Sequence, residues 1–73
     1  MQGQPSLVEI TVNGERRQIP SDQSVAAMLS WLQLPSDRVA VELNKRIVRK
    51  RDWDQTAVPA ASQIEVVEFV GGG

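Results

Sequence analysis

The chain has 73 residues, 41% of them hydrophobic, with eight basic and nine acidic side chains and a formal net charge of −1. It holds no cysteine and no histidine, which excludes disulfide staples, cysteine nucleophiles, histidine general bases and Cys/His zinc sites. That length predicts one small domain with a thin core, and that charge offers no bulk attraction to nucleic acid.

Residues 1–6 are polar, with no basic start leading into an apolar stretch, and read as a flexible lead-in rather than a secretory signal. No apolar run approaches the roughly 20 residues of a membrane span. A small domain without disulfides suits a reducing cytoplasm. Leu7 to Val12 is rich in β-branched residues and predicts a strand, bounded by Asn13-Gly14. Asn-Gly is the favoured pair for a two-residue type I′ turn, so Glu15 to Ile19 should return antiparallel and end at Pro20. The polar second arm predicts an edge strand.

Val25, Met28, Leu29 and Leu32 fall at i, i+3, i+4 and i+7, one face of a helix with Ser24 as its N-cap and Pro35 as its stop. Trp31 falls about 60° beyond the edge of that stripe and should border the core. Arg38 to Asn44 alternates, with Val39, Val41 and Leu43 on one side, and predicts a third strand. Asn44-Lys45 turns the chain into a short strand at Ile47-Val48, and Asp52 to Thr56 predicts a helical turn around Trp53. Residues 59–62 read as loop. Ile64 to Val70 is the last strand, with Ile64 and Val66 on one face and Val67 and Phe69 on the other. The order β-β-α-β-β-β, with right-handed crossover, places the final strand beside the first, parallel and central. The fold class is α+β: a β-grasp, ubiquitin-like mixed sheet of four to five strands with one main helix on one face.

Four features are candidates for function. Lys45, Arg46, Arg49, Lys50 and Arg51 form a dense basic cluster, either a solvated face or a surface that steers an acidic partner. The carboxylates Glu65, Glu68, Asp52 and Asp54 are all expected at the surface, so no catalytic pair emerges. Val67 and Phe69 should point away from the single helix; loops cover them, or they form an apolar patch that docks a partner. Last is Gly71-Gly72-Gly73, a frayed tail or an arm that presents the α-carboxylate of Gly73. Glycines at 71 and 72 let such an arm thread a narrow channel and accept whatever dihedrals a partner's active site requires. No catalytic and no metal-binding residue is assigned.

The segments Val12-Asn13-Gly14-Glu15, Ser24-Val25-Ala26, Val39-Ala40-Val41-Glu42-Leu43-Asn44, Ile47-Val48 with Trp53, and the ending Val66 to Gly73 resemble the ThiS family, the sulfur carriers of thiamin biosynthesis. The resemblance runs from about Val8 to Gly73. Lys45 stands where the family often has a small residue or glycine, and Arg49-Lys50 where it commonly has Pro-Arg. The resemblance implies that the chain is a carrier, not an enzyme. An E1-like adenylating enzyme, using its own ATP-Mg, would activate the Gly73 carboxylate. A cysteine desulfurase or other persulfide donor would convert it to a thiocarboxylate, and thiazole synthase would receive the sulfur. No cofactor is expected on this chain, and neither nucleic acid nor membrane is an expected partner. The small subunit of molybdopterin synthase and carriers for tRNA thiolation share fold and terminus and are the alternatives in the same class. An inert β-grasp interaction module is the alternative from another class.

Overall fold

A computed structural model describes residues 6–69. Its elements are β1 (Leu7–Val12), β2 (Glu15–Pro20), α1 (Val25–Trp31), β3 (Val39–Leu43), β4 (Arg46–Val48), a 3₁₀ turn (Lys50–Asp52) and β5 (Gln63–Glu68). The sheet runs β2-β1-β5-β3-β4, with β1 and β5 parallel and every other neighbouring pair antiparallel. The last strand is therefore central and beside the first, and β2 is an edge, as the pattern predicted. This is the β-grasp arrangement. The expected lead-in falls outside the described residues apart from Ser6, whose carbonyl accepts from the Ser21 N–H at 2.8 Å. Residues 71–73 fall outside them altogether. Among the described residues no helix is long and apolar enough to cross a membrane.

Both hairpins turn on the same chemistry. Asn13 and Gly14 take φ of 51° and 85°, and Asn44 and Lys45 take 52° and 71°. Paired positive values are what a two-residue turn needs to match the strand twist. The sheet face under the helix carries Ile10, Val12, Ile19, Val39, Val41 and Ile64, all buried with Val25, Met28 and Leu29 of α1. Leu32, Leu43, Val48 and Val66 pack at the margin of that core. β2 ends at Pro20 as expected, with the proline opposite Leu7; an edge strand tolerates a residue with no N–H to donate.

At seven residues, α1 is too short to persist alone. The Ser24 side chain accepts from the Ala27 N–H at 3.1 Å, the predicted cap. The two earlier amides are satisfied from a distance in sequence: Val25 N–H donates to the Thr56 carbonyl at 2.9 Å and Ala26 N–H to that of Trp53 at 3.2 Å. The far end differs from the expectation that Pro35 stops the helix. Leu34 N–H reaches back to the Leu29 carbonyl and Gln33 N–H to that of Ser30, with Gln33 at φ 57°, which is a Schellman motif closing the helix before the proline.

Two further boundaries move. The helical turn expected at Asp52 to Thr56 forms earlier, at Lys50–Asp52, and Trp53 follows it as a core residue only 4% exposed. Its indole N–H donates to the Val48 carbonyl at 2.9 Å. The last strand ends at Glu68, before Phe69, and Val70 lies outside the described residues. Trp31 borders the core as expected, half-exposed, its indole N–H donating to the Gln18 carbonyl at 3.2 Å.

Candidate functional site

The end of β5 leads the chain out of the sheet, and its geometry follows from strands of unequal length. β1 pairs with β5 only through Thr11↔Gln63 and Val12↔Ile64, so residues 65–68 outrun it. On the other flank β3 stays in register to the end, with Val41↔Val66, Ala40↔Val67 and Val39↔Glu68. Where β1 gives out, the side chain of Asn13 takes its place. Its carbonyl oxygen accepts from the Val66 N–H at 2.8 Å, and its amide donates to the Val66 carbonyl at 3.2 Å. One residue past the strand, Phe69 N–H donates to the Arg38 carbonyl at 2.8 Å. The chain is thus held on the β1 side up to Val66 and on the β3 side up to Phe69.

Val67 and Phe69 are 56% and 54% exposed. Val67 alternates with the buried Ile64 and half-buried Val66 and so faces away from the helix, opposite Ala40. No loop among the described residues covers this pair, which leaves an apolar surface beside the exit. Glu65 lies directly opposite Glu42 on the same face, and Glu68 is exposed. Of the four carboxylates expected at the surface, Asp52 is half-buried instead: it sits in the 3₁₀ turn, and its carbonyl accepts from the Thr56 hydroxyl at 2.7 Å.

The basic cluster divides. Lys45 sits in the hairpin turn, and the Lys50 ammonium lies 5.9 Å from the centroid of the Trp53 ring, within cation–π range. Arg46, Arg49 and Arg51 border a cavity beside β4, away from the β5 exit. The predicted tail residues Gly71, Gly72 and Gly73 lie outside the described residues. The roles of Asn13 and the Arg38 carbonyl were not foreseen. The Asn-Gly pair marks Asn13 as a turn former, and nothing local indicates that its side chain reaches a strand 53 residues away.

The chain matches the model of the ThiS family over residues 9–73. A crystal structure of the thiamine biosynthesis protein ThiS from Geobacter metallireducens superposes with a TM-score of 0.79 at 30% identity, covering 90% of this chain and all of that one. A thiazole synthase from Paramagnetospirillum magneticum is 39% identical over 66 residues, 90% of this chain but only 20% of that protein. The protein ycf40 of Pyropia yezoensis is 34% identical over 68 residues and is covered over 96% of its length. This chain therefore spans about a fifth of the length of its thiazole synthase relative and nearly the whole of the small one. Match length, topology and solved structure agree: the chain belongs to the ThiS family.

Proposed function

We propose that this protein is the sulfur carrier of thiamin biosynthesis, a protein cosubstrate rather than an enzyme, with Gly73 as the residue that bears the sulfur. The observation that carries this reading is the pairing of family membership through residue 73 with an exit hydrogen-bonded at Phe69 beside an exposed apolar patch. A carboxylate is a poor acyl donor. An E1-like adenylating enzyme, with ATP-Mg of its own, would join the Gly73 carboxyl to AMP and release pyrophosphate. The terminal sulfur of a persulfide donor such as a cysteine desulfurase would then attack the acyl carbon and displace AMP. A second thiol on a partner protein would cleave the resulting acyl disulfide, forming a disulfide with the donor cysteine and leaving a thiocarboxylate for thiazole synthase. The partner enzymes supply the electrostatic stabilisation of these steps.

The chain's own contribution is presentation. Four residues beyond Phe69 span at most about 14 Å when extended, so a partner gripping Val67 and Phe69 has its reactive centre within that distance. Gly71 and Gly72, lacking Cβ atoms, suit a narrow channel. The thiazole synthase relative, which contains a region like this chain, supports thiazole synthase as the recipient. Family membership and the Geobacter structure favour the thiamin branch over the molybdenum-cofactor branch.

Intact-mass measurement after incubation with ATP-Mg, the adenylating enzyme and a sulfur donor tests the reading. An increase equal to one oxygen-to-sulfur exchange, lost when Gly73 is deleted, is the expected result. An unchanged mass with an enzyme shown to be active leaves an inert interaction module.

A further inference from the structure

The basic cluster has a structural setting that the carrier cycle does not use. Five of the eight cations in the chain fall between Lys45 and Arg51, a stretch with no acid, while the rest of the chain carries three cations against nine acids. Three of the five, Arg46, Arg49 and Arg51, line a cavity of about 450 Å³ whose wall also includes Val48, Gln55 and Thr56. The ion pair among the described residues is Arg16 with Glu9, at the opposite side of the sheet, so these three guanidiniums have no carboxylate within 4 Å among those residues. Asp52 borders the same cavity without pairing to any of them.

The cavity lies along β4, the outer strand of the sheet. The two-residue turn closes on Leu43↔Arg46, which makes that pair and Val41↔Val48 the hydrogen-bonded ones and leaves Glu42↔Ile47 between them. The N–H and C=O of Ile47 consequently point outward, away from β3. Its side chain is 72% exposed, the most exposed large apolar side chain among the described residues. An open backbone edge, an exposed β-branched residue and unpaired guanidiniums therefore converge within one short strand and its flank.

We infer that β4 and its arginine-lined groove form a second docking site, distinct from the β5 exit, for an acidic extended segment of a partner protein. Such a segment adds as a strand through the Ile47 backbone. Its carboxylates meet Arg46, Arg49 and Arg51, whose planar forks suit bidentate pairing, and an apolar residue between them covers Ile47. Charge selects the occupant: the guanidiniums repel a basic strand. The groove also lacks the interleaved exposed aromatics that hold single-stranded nucleic acid, since the aromatic beside it, Trp53, is buried.

The test is titration of the full-length, 15N-labelled protein with a peptide of alternating Glu and Val, its Lys-Val counterpart and an oligouridylate. The Glu-Val peptide is expected to shift the Ile47 amide resonance and its neighbours in β4, to bind at least tenfold more tightly than the Lys-Val peptide, and to weaken as salt rises. The triple variant R46Q/R49Q/R51Q should keep its dispersed spectrum and lose at least tenfold in affinity. Ile47→Ser should lose affinity without altering charge. Shifts that leave Ile47 unmoved, equal binding of the Lys-Val peptide, tighter binding of the RNA, or an unaffected triple variant would each overturn the assignment.

Discussion

Asn13 and Asn44 occupy the same position in two different turns, and each does two things. The asparagine side chain tolerates the left-handed backbone that a type I′ turn needs, and in both cases it then reaches β5. Asn13 clamps Val66; the Asn44 side-chain oxygen accepts from the Gln63 N–H at 2.9 Å, while its backbone N–H donates to the Gln63 carbonyl at 2.8 Å. Asn13→Gly keeps the turn and removes the clamp, so it should cost about 1 kcal/mol in chemical denaturation, the usual worth of such bonds. Asn13→Ala should cost more, because alanine is also unfavourable at φ 51° by about 1 kcal/mol. Equal losses for the two variants would show that the turn is not strained. Lys45 holds φ 71°, a left-handed conformation that glycine adopts without steric cost. Lys45→Gly should therefore leave stability unchanged or raise it by up to about 1 kcal/mol, read from the denaturation midpoint.

The short helix shows how elements here depend on one another. Its stripe Val25, Met28, Leu29 and Leu32 was legible as periodicity, and its cap as the serine before that stripe. Ser24→Ala should cost about 1 kcal/mol in thermal or chemical unfolding. What periodicity does not carry is that the Thr56 and Trp53 carbonyls satisfy its first amides, or that Gln33 ends it. The last strand poses the converse case. Alternation alone separated Val66 from Val67, and the observed exposure follows that alternation. Phe69→Ala should lower affinity for the adenylating enzyme by roughly tenfold or more, as exposed aromatic anchors do, with stability changed by less than about 1 kcal/mol. Unaltered affinity in a binding assay would remove Phe69 from the docking surface.

For the whole molecule, a 73-residue chain has a stability of roughly 4–11 kcal/mol on the usual per-residue scale, so one large core residue matters. Trp53 closes the core beside the helix start, holds the Val48 carbonyl and supplies the carbonyl that receives Ala26. Trp53→Ala should cost about 3–5 kcal/mol, most of the margin at the lower end, visible as a large fall in the unfolding midpoint. Deleting Gly73 should have the opposite profile, with the unfolding midpoint kept and sulfur transfer lost. On the proposed function, core truncation and loss of Gly73 thus act on separate properties, stability and sulfur transfer.

Local chemistry by itself determined the two turns, the helix stripe and its cap, and the inward and outward sets of the third and last strands, which right-handed crossover then assembles into the β-grasp order. Each of these depends on neighbours within a few residues, where steric limits on φ and side-chain periodicity act. Tertiary structure alone decided that β5 outruns β1, that Asn13 completes its ladder, that Trp53 and Thr56 cap a distant helix, and that three arginines of one basic run face a common groove. Those outcomes depend on relative strand lengths and on backbone groups from remote segments meeting when the chain closes on itself, and no local pattern encodes such meetings.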